Sequence, residues 1–141
     1  MAAPTNKNAR KIFVNLAVKN MARSKEFFTK LGFEFNPQFT NDQGACMVIS
    51  DDAFVMLLVE PFFQTFTQKS LCDATKQTEA INALSASSRA DVDDLTQKAL
   101  AAGGTLCQAP QDMGFMYSQS FYDLDGHHWE VVWMDPAAVP Q

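Results

Sequence analysis

The sequence is poor in cysteine, and the few cysteines that it has are widely separated. Cys46, Cys72 and Cys107 are the only three among 141 residues, and no C-x-x-C pair occurs. An odd, scattered set of this kind favours free thiols in a reducing compartment over a disulfide framework. We therefore predict a cytoplasmic protein.

Long apolar runs and clustered positive charge are also absent. The longest apolar run, Phe54 to Val59, is far shorter than the roughly 20 residues of a membrane-spanning helix. The first residues lack the apolar segment of a secretory signal. Lysine and arginine number 11 against 16 aspartates and glutamates, and they are scattered. We expect neither a membrane nor nucleic acid as a partner, since phosphate binding requires clustered basic residues.

Large apolar side chains are plentiful, in contrast. Hydrophobic residues make up 47% of the chain, and 12 of the residues are phenylalanines. A disordered chain would not carry so many aromatic side chains, and this length suits one folded unit. We predict that residues 1–141 form a single domain.

The first half of the chain predicts a strand, a helix and three further strands. Residues 12–18 alternate and are rich in β-formers, which indicates a strand. Asn20 suits a helix N-cap and Gly32 a helix end, and one inward stripe lies between them: Ser24, Phe27, Phe28 and Leu31. Turn-forming residues then separate three short predicted strands at 33–39, 45–50 and 54–59.

The second half repeats this pattern. Residues 81–86 predict a strand, and Ser88 an N-cap with Asp91 in a capping-box-like position. Five pairs share one separation of 68 positions: Leu16 and Leu84, Asn20 and Ser88, Ser24 and Val92, Phe27 and Leu95, Leu31 and Ala99. The helix stop at Gly103 comes three positions later than that separation requires, which predicts a longer second helix. Strands are predicted again at 105–108, 116–122 and 129–134.

Two βαβββ modules account for both halves. Module one covers about residues 11–60, a linker about 61–79, and module two about 80–135. Each module covers one face of its sheet with its own helix and leaves the other face open. We predict an α+β fold in which the modules form a curved, cup-like mixed sheet around a central cavity.

Strand alternation predicts which side chains line this cup. Three side chains of the first strand and three of the fifth point into it: Phe13, Asn15, Ala17, Ile81, Ala83 and Ser85. On the last strand Glu130 shares this face with His128 and Val132. The side chains of His127 and His128 point to opposite faces, so they cannot chelate one ion together in a regular strand.

Three stretches resemble the vicinal oxygen chelate superfamily, which includes glyoxalase I, bleomycin and fosfomycin resistance proteins and extradiol dioxygenases. They are FVNLAVKN from Phe13 to Asn20, SKEFFTKLGF from Ser24 to Phe33, and DLDGHHWE from Asp123 to Glu130. The resemblance covers roughly residues 11–135. It implies the paired βαβββ fold, a small-molecule ligand and a homodimer, and it is most similar to glyoxalase-like bacterial proteins.

The metal-dependent members of that family place ligands, typically His and Glu, on the first and last strand of each module. Matched position by position, these ligands fall on Phe13, Met56, Ile81 and Glu130. The first three side chains offer no lone pair that suits Zn, Ni, Fe or Mn. We therefore predict no metal site and no other cofactor.

Two interpretations remain open for several polar residues. Glu130 either binds or deprotonates a substrate as the catalytic carboxylate, or is held at the sheet rim by a cation or a backbone N–H. Asn15 either orients a ligand or satisfies a backbone group. His128 is a candidate ligand-binding residue, although ordinary hydrogen bonds suit a histidine near a turn. The aromatic segment 61–66 either covers the cavity mouth beside Tyr117 and Tyr122, or packs over the groove between the modules or at a dimer interface.

The sequence favours a protein that binds a small organic molecule in a metal-poor cavity between the modules. The predicted ligand-binding set is Phe13, Asn15, Met56, Ile81, Tyr117, Tyr122 and His128. The alternative is a lactoylglutathione lyase-like lyase or isomerase, or a dioxygenase-related enzyme, that uses Glu130 with a metal held by substitutes such as Glu60 or His128.

Overall fold

A computed structural model of the chain describes residues 8–138. Module one consists of β1 (Ile12–Val18), α1 (Met21–Lys30), β2 (Glu34–Asn36), β3 (Gly44–Val48) and β4 (Ala53–Val59). Its sheet has the order β1-β4-β3-β2, in which β1 runs parallel to β4 and the other neighbours are antiparallel. A short helix, α2 (Glu60–Gln64), begins the linker.

Module two repeats this arrangement. It consists of β5 (Ile81–Ser85), α3 (Arg89–Ala101), β6 (Thr105–Leu106), β7 (Gln111–Asp112), β8 (Met116–Tyr122) and β9 (His128–Met134). Its sheet has the order β5-β9-β8-β6, with β7 paired to β8, and β5 runs parallel to β9. In both modules the first strand therefore lies at a sheet edge, parallel to the last strand of its own module. The predicted α+β fold of two βαβββ modules is confirmed.

Local capping fixes the start of each long helix where the sequence predicts it. The Asn20 side chain accepts a hydrogen bond from the backbone N–H of Arg23 (3.1 Å), and Ser88 Oγ accepts one from Asp91 N–H (3.0 Å). These bonds satisfy backbone donors that the first helical turn leaves unpaired. Helix α1 has 10 residues and α3 has 13, so the second helix is three residues longer, as the glycine positions predict.

The structure corrects several of the predicted strand limits. The second strand ends at Asn36 instead of Phe39, because Pro37 has no N–H for the ladder and opens a turn of 3-10 helix. The predicted strand 105–108 has only two residues, and β7 follows it without a counterpart in the prediction.

The predicted cup consists of two mixed sheets, one of four strands in module one and one of five strands in module two. The gap falls between β1 and β5, the two edge strands nearest the linker. There the Ala17 carbonyl oxygen accepts a hydrogen bond from His127 Nε2 (2.6 Å). This backbone acceptor of β1 is therefore bonded to a side chain and not to the backbone of β5. A carbonyl oxygen can only accept, so Nε2 carries the proton in this contact.

The hydrophobic core is shared by both modules. Helix α1 packs Phe27 and Phe28 against strands of module two: the Phe28 ring centroid lies 5.3 Å from that of Trp129, and Phe27 lies 6.3 Å from Phe121. All four side chains are buried. Burial of such a side chain contributes about 1.5–3 kcal/mol, so neither module retains its full core alone.

The turn before β9 contains two aspartates: Asp125 connects the modules, and Asp123 holds the turn itself together. Asp125 accepts hydrogen bonds from the Lys19 backbone N–H (2.9 Å) and from Ser24 Oγ (3.3 Å), both in module one. Asp123 accepts from Trp129 Nε1 (2.9 Å) and from the backbone N–H groups of Asp125 and His127. Burial raises the pKa of Asp123 despite these donors, because desolvation disfavours its charged form. The DLDG segment is thus a structural turn.

Among residues 8–138, no helix has the length and apolar character required to cross a membrane.

Candidate functional site

A cavity of about 350 Å³ lies at the junction of the two modules. We call it the seam cavity. Strand β1, the linker, the start of β5 and the turn before β9 form its wall, which includes Asn15, Ala17, Phe63, Leu71, Asn82 and His128. Apolar side chains with a few convergent amide and imidazole groups are typical of small-molecule sites.

The linker closes this cavity because it folds back on itself. Helix α2 starts directly after β4, with Pro61 in its first turn, where the missing N–H of proline has no helical partner to lose. Gln64 Nε2 then donates hydrogen bonds to the carbonyl oxygens of Thr67 (3.2 Å) and Lys69 (2.9 Å). Phe63 is half-buried and lines the cavity. The aromatic segment therefore supplies part of the cavity wall.

A second group of candidate site residues lies on the cup face of module two. Tyr122 pairs with His128 across β8 and β9, and Cys107 and Glu130 lie beside that pair. We call these four residues the cup cluster. Cys107 Sγ is 3.5 Å from His128 Nε2, and Glu130 Oε2 is 4.0 Å from the same nitrogen. His128 is only 7% exposed, whereas Glu130 remains partly open to solvent.

The cluster is held together by its register and its rings. The Tyr122 and His128 rings meet edge to face with centroids 5.7 Å apart. Cys107 raises the pKa of the Tyr122 hydroxyl, first through a hydrogen bond and then through the negative charge of its thiolate form. Partial desolvation adds to this increase. A thiol, an imidazole, a carboxylate and a phenol thus converge on one face, a combination suited to proton transfer and nucleophilic chemistry.

A smaller polar pocket of about 190 Å³ adjoins Glu130. Its wall includes the hydroxyls of Ser118 and Ser120 and the amides of Gln108 and Gln111. These neutral groups can donate hydrogen bonds to an oxygen of a bound molecule.

Four of the eight predicted site residues lie at these two sites. Glu130, His128 and Tyr122 belong to the cup cluster, and Asn15 lines the seam cavity, which His128 also borders. The Asn15 amide donates to the Phe13 carbonyl oxygen (3.1 Å), so it satisfies a backbone group and faces the cavity as well.

The remaining four predicted residues lie elsewhere. Phe13 is 52% exposed and stacks on Phe54 with ring centroids 5.0 Å apart, and Met56 follows on the same face of β4. Ile81 is equally exposed, beside His128 in the β5–β9 pair. The Tyr117 hydroxyl donates to Asp93 of α3 (2.6 Å), on the helix-covered face. This corrects the expectation that Tyr117 lies with Tyr122 beside the cavity.

The residues at the family's ligand positions do not fit a metal ion. Phe13, Met56 and Ile81 offer no hard or borderline ligand, and Glu130 alone cannot close a site. Between residues 8 and 138, no three His, Cys, Asp or Glu side chains are arranged to hold an ion. Glu60, a possible substitute, begins α2 and lines a different pocket with Lys19 and Asp125.

Cys107 is a member of the cup cluster that the sequence analysis did not select. It follows β6, and its backbone N–H donates to the Ser120 carbonyl oxygen (3.4 Å), which aligns its side chain with the cup face. The usable signal was the alternation that places residues 105 and 107 on one face. The length and register of so short an edge strand are not evident from the sequence. The sequence therefore predicted a free thiol at Cys107 without a role in the site.

Comparison with known proteins places the chain in a family. The family model described as Glyoxalase/Bleomycin resistance protein/Dioxygenase superfamily matches residues 12–131. The chain belongs to this superfamily, which confirms the resemblance seen in the sequence. A search of curated proteins found no significant match.

Solved structures share the fold. A hypothetical protein from S. aureus is 29% identical, with a TM-score of 0.75 over 87% of this chain and 92% of that one. A glyoxalase-related enzyme from Fulvimarina pelagi is 18% identical, with a TM-score of 0.73 over 86% and 85%. The fosfomycin resistance protein FosX from Listeria monocytogenes is 18% identical, with a TM-score of 0.63 over 100% and 96%. The last two likenesses show the fold alone.

Proposed function

We propose that this protein binds a small organic molecule in the seam cavity, in the cytoplasm and without a catalytic metal. The observation that carries the proposal is the cavity itself. Its volume of about 350 Å³ falls within the roughly 300–1,000 Å³ of small-molecule pockets. It lies between the two modules, where the sequence predicts a ligand.

The wall of the cavity indicates the kind of ligand. Phe63 and Leu71 suit a flat or branched apolar body. The amides of Asn15 and Asn82 and the imidazole of His128 can hydrogen-bond a carbonyl, hydroxyl or sulfonate group. We therefore expect an amphipathic organic molecule with one polar end.

The test uses the fluorophore 1-anilinonaphthalene-8-sulfonate, which has an apolar body and one anionic group. We expect the parent to bind about one equivalent, and Ala17→Leu to weaken binding about tenfold, which corresponds to about 1.4 kcal/mol. The added side chain would occupy space in the cavity that Ala17 leaves open.

Ala83→Leu is the matched control, because Ala83 is an exposed strand alanine of β5 outside the cavity wall. It should bind the fluorophore as the parent does. Loss of binding in Ala83→Leu together with normal binding in Ala17→Leu would place the ligand in the cup and contradict the proposal.

A second candidate function is catalysis by Glu130. Its support is the 4.0 Å approach of Glu130 Oε2 to His128 Nε2 beside the polar pocket, an arrangement suited to general acid or base chemistry. Lactoylglutathione lyase activity that disappears in Glu130→Gln would favour this function. Equal, background-level rates in both proteins, with and without added Zn²⁺ or Ni²⁺, would count against it.

We also propose that the protein is a homodimer. Several large apolar side chains are exposed around the cups, among them Phe13, Ile81, Phe115 and Met134. A second copy would remove them from water. Light scattering at tens of micromolar protein should give a mass twice that of the 15.6 kDa chain. Phe13→Asp should shift the measured mass toward that of the monomer. A monomeric parent would contradict the proposal.

A further inference from the structure

The cup cluster combines a thiol with a buried imidazole, an arrangement that goes beyond binding in the seam cavity. We propose that Cys107 is a nucleophilic thiol that forms covalent adducts with soft carbon electrophiles, and that His128 accepts its proton. The electrophile class is the α,β-unsaturated carbonyl compounds, whose β-carbon reacts preferentially with sulfur.

The thiol of Cys107 and the imidazole of His128 are in contact. Sγ lies 3.5 Å from Nε2 and 4.0 Å from Nδ1, which places the sulfur beside the ring near both nitrogens, and a turn of the thiol about the Cys107 side-chain bonds aligns it for proton transfer to Nε2. His128 is buried, and its ring packs against that of Tyr122, so the imidazole is held in place. Cys107 is partly exposed, so a small reagent can reach the sulfur. A thiol beside a fixed base and open to solvent is the usual setting of a reactive cysteine.

Glu130 completes the arrangement. Its carboxylate lies 4.0 Å from Nε2 of His128 and would stabilise the imidazolium that forms when the thiol proton is transferred. Glu130 acts on the sulfur only through His128 and is therefore a positioning residue.

The other two cysteines lie in different surroundings. Cys46 is buried in β3, only 3% exposed, and burial raises the pKa of its thiol, both of which oppose reaction. Cys72 is exposed in the linker. One molecule therefore carries a protected thiol, an open thiol and a thiol paired with a base.

The reaction balances without an oxidant or reductant. The Cys107 proton moves to His128, and the sulfur attacks the β-carbon, so that one S–C bond forms and the C=C π bond opens. The displaced electron pair moves to the α-carbon and carbonyl oxygen, and the α-carbon then takes the proton back from His128. Ser118, Ser120 and Gln108 line the adjoining pocket and can donate hydrogen bonds to the carbonyl oxygen during this step.

The test measures alkylation by N-ethylmaleimide, an unsaturated imide, at each cysteine of the intact protein at pH 6.5, with quantification by peptide mass spectrometry. We expect Cys107 to react at least about tenfold faster than Cys72, although Cys72 is more open. His128→Asn should slow Cys107 to the rate of Cys72 or below and leave Cys72 unchanged. Glu130→Gln should produce a smaller decrease at Cys107 alone.

Cys46 reports folding within the same samples, because it should remain unlabelled as long as the core is intact. A parent in which Cys107 reacts no faster than Cys72 would overturn the proposal. So would a folded His128→Asn protein with an unchanged Cys107 rate. If Cys46 becomes labelled in His128→Asn, that variant is no longer folded and Glu130→Gln provides the test instead. An unchanged rate of Cys107 alkylation in Glu130→Gln would then overturn the proposal. Fluorophore binding by the parent reports on the seam cavity separately, so the two proposals can fail independently.

Discussion

The two modules share one topology, yet their cup faces carry opposite chemistry. Module one presents Phe13, Phe54 and Met56, and the two phenylalanine rings are stacked on each other. Module two presents the cup cluster, in which a thiol, an imidazole, a carboxylate and a phenol converge.

The difference shows which positions the fold constrains. The faces that meet the helices are apolar in both modules, as Leu57 in β4 and Val131 in β9 illustrate, because they form the shared core. The cup faces do not support that core, so their side chains can diverge without loss of the fold. Module one carries Phe13, Phe54 and Met56 there, and module two carries polar groups that can react.

The largest expected effect tests whether the modules depend on one core. Phe28→Ala in module one and Trp129→Ala in module two should each reduce the free energy of unfolding by about 3–5 kcal/mol, because each removes a buried ring that contacts the other. Chemical denaturation would measure both.

The double variant sharpens that comparison. The two residues are in contact, so the combined loss should fall short of the sum of the single losses by at least about 0.5 kcal/mol. Strict additivity would indicate that each module is stabilised independently, contrary to this account.

A smaller effect is expected from the polar connection between the modules. Asp125→Ala removes the acceptor for Lys19 N–H and Ser24 Oγ, and it should reduce the free energy of unfolding by about 1–3 kcal/mol. Asp94→Ala is the control, because Asp94 forms an exposed ion pair with Lys98, and its loss should change stability by less than about 0.5 kcal/mol. Equal losses in the two variants would contradict a role for Asp125 in joining the modules.

Much of this architecture could be predicted because its determinants are local. The alternation of 12–18 and the N-caps Asn20 and Ser88 depend on neighbours in sequence. Alternation also assigned the cup faces of β1, β5 and β9. It should have separated Tyr117 from Tyr122, since five positions along one strand place two side chains on opposite faces.

The candidate site was predicted less well because it depends on distant contacts. The seam cavity exists because residues of the linker fold back over β1, which no short sequence pattern specifies. Cys107 meets His128 through the pairing of β6 with β8, and a strand of two residues carries too little sequence signal to reveal its register.

The smallest expected effect on stability comes from an exposed ion pair of module two, between Arg89 and Asp112. Arg89 donates two hydrogen bonds to Asp112, and these, more than the Gly114 N–H, lower the pKa of that carboxyl. A carboxyl whose pKa is lower in the folded protein stabilises the fold above its unfolded value of about 4, and this contribution is lost as the pH falls through the folded value.

Asp112→Asn should therefore lower the Tm by a small amount at pH 7, and the difference from the parent should shrink at pH 3. Thermal melts monitored by circular dichroism at both pH values would measure it. A difference that grows toward acid pH would contradict this assignment.

The central claim is our proposal that this chain binds a small molecule without a metal ion at Phe13, Met56, Ile81 and Glu130. The most direct measurement is elemental analysis of protein purified without a chelator or a histidine tag. We predict far less than one Zn, Ni, Fe or Mn per chain, and we expect Phe13→His, Met56→Glu and Ile81→His combined to gain metal affinity. About one such ion per parent chain, lost in Glu130→Gln, would contradict the account.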